Sequence, residues 1–262
     1  MAKAQPIEVN PIHVANILDC IGRATSDTSA AGMRWYQDWS EYLWRVSVQR
    51  GVRFDLAVAT FACLSANKGL TGNLRMFHVW LDRGVDAIRE ATTAQKVKVR
   101  AMMASAAPLA LLTSPKVGSF AANLAGNTTR ATIDRHAAQC AHDDRGIDKV
   151  PPRMYRILEL AYQESALMLG IETRQTQAIA RCVWRAEKPN LRGLSRLGDP
   201  DIAALLAALP AAVTWPAELA PFVEPAEMEP DDYSNANLGT CTQCGWVMAH
   251  SIATLCSDCT VN

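Results

Sequence analysis

The spacing of apolar residues between Pro11 and Lys188 is the feature that most constrains the fold of this chain. Apolar side chains recur there at intervals of three and four residues, and the strict alternation typical of β-strands is nearly absent. The pattern predicts an all-α body. One apolar stripe, which ends at the expected helix cap Gly51, is predicted to lie in the core: Trp35, Trp39, Tyr42, Leu43 and Val46.

Start signals predict where several of these helices begin. Asp55 and Thr71 are expected to be the N-caps of two helices in the first half of the body. Ser114 followed by Pro115 is a strong start signal, because serine is a preferred N-cap and proline is favoured at the first helical position. Asp134 is expected to open the next, short helix.

Composition divides the chain into three segments. We expect a helical body at residues 1–188, a linker at 189–237 with one short Ala/Leu helix, and a small module at 238–262. Prolines crowd between Pro189 and Pro230, and residues 216–237 combine proline with acidic side chains. Because this last stretch has no apolar periodicity, we expect it to be flexible and sensitive to proteases.

The net charge of zero hides an asymmetry along the chain. Residues 1–210 contain all 26 basic residues and 19 of the 26 acidic ones, so they carry +7, and residues 211–262 carry −7. A basic body is compatible with a polyanionic partner, for which DNA is the strongest candidate, although an ordinary soluble body with an acidic tail has the same charges.

The start of the chain has no apolar run that would serve as a signal peptide, and no segment has the roughly 20 apolar residues of a membrane span. We therefore expect a cytoplasmic protein without a membrane partner. Thiols stay reduced in that compartment, so closely spaced cysteines indicate metal binding more than disulfide bonds.

Two C-x2-C motifs stand near the end of the chain, Cys241/Cys244 and Cys256/Cys259, separated by eleven residues. Two such motifs complete a tetrahedral site with four thiolate ligands, and this spacing is typical of zinc. Four protein ligands leave no open coordination position, so the predicted Zn²⁺ is structural. The other four cysteines lie within helical patterns and are expected to be buried apolar residues: Cys20, Cys63, Cys140 and Cys182.

Two further segments carry a chemical signal, Leu64-Ser65-Ala66-Asn67 and the run from Lys116 to Asp134-Arg135-His136. Together they resemble the helix-hairpin-helix DNA glycosylase superfamily over roughly residues 55–186. Members of that superfamily have a similar leucine-serine-alanine segment, a catalytic lysine on the second helix of the hairpin, and a catalytic aspartate that opens a following helix. The Phe-x-x-Asn-Leu and Asp-Arg-His segments also resemble phage-type proteins on the same fold that hypermodify thymine in DNA.

The resemblance implies a role for each matching residue. Lys116 would be the nucleophile and Asp134 the carboxylate that stabilises positive charge on the sugar. Asn67 would fill the gap left by a flipped base, and Lys68, Arg135 and His136 would also contact nucleic acid. Each residue also has an ordinary structural reading: Asp134 as an N-cap, Lys116 as a solvated first-turn residue, His136 as a packed side chain and Asn67 as a turn residue.

Three functions follow from these observations. The first is excision of a flipped nucleobase by Lys116 and Asp134. The second is substitution of a group on a modified thymine. It is favoured because Leu112-Thr113-Ser114-Pro115 stands here in place of the hairpin glycines of the family. The third is a non-enzymatic adaptor that binds nucleic acid or protein. Both enzymatic readings require Lys116 and Asp134 to face one cleft near Asn67, and the 126–132 loop is long enough to allow this.

Overall fold

The computed structural model describes residues 9–66, 68–187 and 200–210, together with the backbone of residues 238–240 and 247–249. The chain forms two compact units, residues 1–222 and residues 223–262. In the described part of the first unit every regular element is helical, which confirms the prediction of an all-α body.

Ten α-helices follow one another in the described part of this unit. Their bounds are α1 Pro11–Gly22, α2 Ser26–Arg50, α3 Phe54–Leu64, α4 Leu70–Arg83, α5 Thr93–Met103, α6 Pro115–Leu124, α7 Arg135–His142, α8 Pro152–Leu169, α9 Thr173–Ala186 and α10 Ile202–Ala207. Two 3₁₀ turns, Val85–Ala87 and Pro108–Leu111, flank α5. None of the helices among the described residues has both the length and the apolar character that crossing a membrane requires.

Several predicted helix ends are confirmed. Gly51 ends α2 in the left-handed conformation, with φ of 62°, and its N–H donates hydrogen bonds to the carbonyls of Ser47 and Val48. Ser114 occupies the N-cap position of α6 with Pro115 at the first helical position, as predicted, but its side chain makes no capping hydrogen bond. Asp134 is the N-cap of α7, and its side chain accepts a hydrogen bond from the Ala137 amide at 2.9 Å.

Two predicted caps are wrong. Helix α3 begins after Arg53 and α4 begins after Gly69, so Asp55 and Thr71 lie in the first turns. The first residues of these helices, Phe54 and Leu70, both pack against the main core. This packing favours a start two residues earlier than predicted in each helix.

Helices α2 and α9 form the most extensive helix pair among the described elements and lie between two apolar clusters. The larger cluster gathers side chains from α2 to α6, and the smaller one gathers side chains from α1, α7, α8 and α9. Gly32 allows the close approach of α2 to α9, because a Cβ atom at Gly32 would lie 2.6 Å from the Cα of Ile179.

Helix α10, within the segment predicted to be a linker with one short helix, packs against α2. Four of its residues or neighbours contact the larger cluster: Ile202, Leu205, Leu206 and Leu209. In the second unit, β1 (Leu238–Thr240) and β2 (Val247–Ala249) pair in antiparallel fashion, with Thr240 opposite Val247. Cys241, Cys244, Cys256 and Cys259 lie outside the described residues, so the zinc module stays a prediction.

Candidate functional site

A pocket opens in the first unit where the N-terminal ends of α4, α6 and α7 come together beside the α2–α9 pair. Its cavity volume is about 100 Å³, smaller than the roughly 300–1,000 Å³ of pockets that enclose drug-sized ligands. Its described lining residues are Trp35, Tyr36, Ser65, Lys68, Leu70, Asn73, Lys116, Phe120, Thr132, Asp134, Gln177, Ala178 and Arg181.

Asp134 supplies the negative charge of the pocket. One carboxylate oxygen caps α7, and the other lies 3.6 Å from Nε of Arg181. Burial by itself raises the pKa of Asp134, but the charges of Arg181, His136 and Lys116 and the Ala137 amide together lower it below its ordinary value. Asp134 is therefore ionised at neutral pH.

Arg181 connects this carboxylate to the aromatic wall of the pocket. Its guanidinium carbon lies 5.3 Å from the centre of the Trp35 ring, a cation–π contact. Trp35 is half-buried and also packs against Phe120, at a centroid distance of 6.2 Å. The sequence pattern predicted all five residues of its stripe to lie in the core, and this holds for Trp39 and its companions, but Trp35 faces the pocket.

A buried chain of hydrogen bonds lies behind this wall. The Tyr36 hydroxyl lies 2.8 Å from Gln177 Oε1 and 2.9 Å from Thr132 Oγ1, and Asn123 Nδ2 donates to Thr132 Oγ1 at 3.2 Å. Burial raises the pKa of Tyr36 to about 12, so its hydroxyl keeps its proton. Since this chain joins α2 and α9 to the residues just before Asp134, it holds the lining of the pocket in place.

Positive charge outweighs negative charge around the pocket. Among its described lining residues, Lys68, Lys116 and Arg181 are basic and Asp134 alone is acidic. Lys116 is half-buried in the first turn of α6, and within the described residues it forms no ion pair, although its charge acts on Asp134. The N-terminal ends of α4, α6 and α7 add partial positive charge at the same place. The site is therefore suited to an anionic or strongly polar ligand.

The structure brings some of the sequence-predicted residues together and leaves others apart. Lys116 and Asp134 line one pocket, as the chain geometry predicted, and Lys68 joins them. Arg135 is exposed and pairs with Asp148 at 3.5 Å, away from the pocket lining. His136 is half-buried and acts on Asp134 through its charge.

Asn67 lies outside the described residues, so its predicted role is untested. Ser65, two residues before it, and Lys68, directly after it, both line the pocket.

Sequence reasoning missed several polar residues of the pocket, among them Arg181, Gln177 and Asn73. A signal for Asn73 was available, because it falls on the apolar stripe of α4, between Leu70 and Phe77. Gln177 and Arg181 carried no comparable signal, since polar residues are frequent along α9 and only the packing of α9 on α2 turns these two toward the pocket.

The described residues contain no group of three or more His, Cys, Asp or Glu side chains placed to hold a metal ion. Cys20, Cys63 and Cys140 are buried, as expected for apolar packing, and Cys182 is half-buried. The predicted ligands of zinc all belong to the second unit.

Comparison with protein-family models gives a match over residues 1–188 to a family of unknown function, DUF7178. The chain belongs to the DUF7178 family. The matched range contains every described residue that lines the pocket, so the pocket is formed within the DUF7178 region. Comparison with curated proteins and with solved structures gives no match.

Proposed function

We propose that this protein is a DNA-acting enzyme that takes a flipped nucleobase into the pocket and excises it, with Lys116 as nucleophile and Asp134 as the stabilising carboxylate. The observation that supports this most is the convergence of Lys116 and Asp134, eighteen residues apart in sequence, on one pocket with an aromatic wall. The resemblance to helix-hairpin-helix DNA glycosylases assigns the same two residue types to this chemistry.

The proposed reaction uses the Asp134 carboxylate first and the Lys116 amine second. As the N-glycosidic bond breaks, its electron pair leaves with the base and positive charge develops on the sugar, where the ionised Asp134 stabilises it. The amine of Lys116, after its proton has passed to solvent, then forms a bond to the sugar C1′. The C1′–O4′ bond breaks, O4′ takes up a proton from the nitrogen, and a Schiff base between enzyme and DNA results. Hydrolysis or strand cleavage releases the lysine.

The pocket walls suit a base that has left the stack. An enzyme that acts on a base inside a duplex must rotate the nucleotide outward and pay its unstacking energy, which aromatic contacts in the pocket offset in part. Trp35 and Phe120 provide such a surface. Lys68 and the N-terminal end of α4 lie at the same opening, where they can hold a DNA phosphate.

A second candidate is substitution of a group on a modified thymine, and the charge of the pocket favours it. In that reaction an amine forms a bond to the exocyclic carbon of the base while the bond to a leaving group breaks and its electron pair leaves with that group. An anionic leaving group would be stabilised by Lys68, Lys116 and Arg181 and by the three helix ends.

Oligonucleotides that carry candidate bases test both candidates. Excision releases a free base and leaves an abasic site, and borohydride traps the covalent intermediate, whereas substitution changes the mass of the nucleoside without breaking the glycosidic bond. We expect Asp134→Asn to lower the rate by about 10²-fold or more, because the neutral amide keeps the cap but loses the charge. Lys116→Ala should abolish the trapped adduct.

Matched variants control for folding. Asp201 also caps a helix through its side chain and does not belong to the described pocket lining, so Asp201→Asn should leave the rate unchanged. Lys98→Ala on α5 should keep the adduct. Wild-type activity in both Asp134→Asn and Lys116→Ala would contradict the proposal and favour a non-enzymatic adaptor.

A further inference from the structure

Asn73 has an unusual environment for a polar side chain. Its residue is fully buried, and neither its Oδ1 nor its Nδ2 has a hydrogen-bond partner, yet it lines the pocket beside Lys116 and Asp134. Among the described lining residues, this combination is found at Asn73 alone. A buried polar group without a partner destabilises the fold, so its presence at a pocket calls for a ligand that completes its hydrogen bonds.

The chemistry of the amide limits what that ligand can be. Oδ1 only accepts and Nδ2 only donates, and the two atoms lie side by side. An anion such as phosphate would satisfy Nδ2 and leave Oδ1 unpaired, and a cation would do the reverse. A ligand that satisfies both atoms must offer a donor next to an acceptor, as the hydrogen-bonding edge of a nucleobase does.

We propose that Asn73 reads the hydrogen-bonding edge of the flipped base. Oδ1 accepts from an N–H of the base, and Nδ2 donates to the adjacent carbonyl oxygen or ring nitrogen. The backbone at Asn73 is well fixed for this role, because it lies in the first turn of α4 and its backbone N–H donates to the Gly69 carbonyl at 3.0 Å. The inference deepens the proposed function and rests on it, since it takes the ligand of the pocket to be a base.

The class of base can be identified with uncharged base analogues in which a methyl group blocks the hydrogen-bonding edge. We would measure binding of the full chain to single-stranded oligonucleotides that differ only at a central base, by fluorescence anisotropy at low salt. The four pairs are thymine with N3-methylthymine, guanine with N1-methylguanine, cytosine with N4,N4-dimethylcytosine and adenine with N6,N6-dimethyladenine. For the base that Asn73 reads, blocking the edge should weaken binding by about tenfold or more.

Asn73→Leu is the decisive variant. It has a similar size and no polar group, so the loss of affinity caused by blocking the edge should disappear. Removing an unpartnered buried amide should leave Tm unchanged or raise it by a few degrees, and this confirms that the variant folds.

Thr60→Val provides the matched control. Thr60 is fully buried in α3, and its hydroxyl also lacks a partner, but it does not belong to the described pocket lining. This variant should keep full discrimination between free and blocked edges.

Two results would overturn the inference. The first is that the wild-type protein binds both members of every pair equally, or binds none of them. The second is that Asn73→Leu discriminates between free and blocked edges as well as the wild-type protein does. The proposed chemistry fails separately. Edge discrimination without any base release or mass change would leave Asn73 as a base reader and remove the enzymatic proposal, whereas turnover without edge discrimination would do the opposite.

Discussion

Asp134 is a helix cap and, in the proposed reaction, an electrostatic catalyst, and the two roles use different oxygen atoms. One oxygen accepts from the Ala137 amide, and the other faces Arg181. The cap explains why aspartate is suitable at the start of α7 in any case. The ion pair with Arg181 and the position in the pocket are the features that suit the same side chain to the proposed reaction.

Arg181→Gln should move the acidic limb of the pH–rate profile of base release or substitution to higher pH. Among the neighbouring groups that lower the pKa of Asp134, Arg181 has the largest effect, so its removal raises that pKa. A carboxyl with a higher pKa takes up its proton at higher pH, and activity is lost sooner as pH falls. At alkaline pH, where Asp134 stays ionised, the acid-side loss should vanish.

Arg145→Gln is the matched control for this prediction. Arg145 also stacks on a tryptophan, at 4.1 Å from the centre of Trp184, and lies near a carboxylate, Glu187, but it does not line the pocket. Its substitution should leave the acidic limb in place. An equal displacement in both variants would show that Arg181 does not act through Asp134.

At the scale of elements, the α2–α9 contact positions both walls of the pocket. Helix α2 carries Trp35 and Tyr36, and α9 carries Gln177 and Arg181. One turn away, Gly32 of α2 lies directly against Ile179 of α9. The separation of these two helices therefore sets the width of the site as well as the stability of the body.

Gly32→Ala should destabilise the protein by about 1–3 kcal/mol, because the added methyl group would overlap backbone atoms that cannot rotate away. Thermal unfolding measures this, with an expected fall in Tm of about 2–4 °C for each kcal/mol. Gly72→Ala is the control, since a Cβ atom there has no neighbour within 4 Å, and it should be neutral or stabilising. Equal Tm values for the two variants would refute the close-packing argument.

The charge of the whole molecule leads to a prediction about DNA binding. The basic side chains of residues 1–210 should hold phosphates, so log affinity should fall linearly with log salt by about 0.9 per phosphate contact. Lys68→Gln, at the opening of the pocket, should reduce the slope by about one, and Lys98→Gln should not. A lack of DNA binding at low salt would remove the main support for a nucleic-acid partner.

The second unit has a separate prediction, because its four cysteines have zinc spacing. Protein purified without chelator should contain about one zinc per chain and no iron–sulfur colour. Cys241→Ser and Cys256→Ser should lose the metal, while Cys182→Ser in α9 should keep it. Elemental analysis that finds iron, or no metal in the wild-type protein, would refute the prediction.

Local signals were enough to predict much of the helical body. Helix type and the ends at Gly51 and Asp134 depend on periodicity and on hydrogen bonds within a few residues, and the start at Ser114 is marked by the proline that follows it. All of these can be read from adjacent sequence. The caps assigned to Asp55 and Thr71 failed because Phe54 and Leu70 gain more from packing against the distant core than a local cap would provide.

For the site, sequence alone was enough to find the candidates Lys116 and Asp134, because the spacing of residue types along a chain is a linear property. Tertiary structure decided which other side chains share their pocket. Arg181 forms an ion pair with Asp134, and Asn73 lies near them without a hydrogen-bond partner, only because α4 and α9 border the same pocket. Their roles depend on burial and on charges from residues far apart in the chain, and these quantities exist only once the helices have packed.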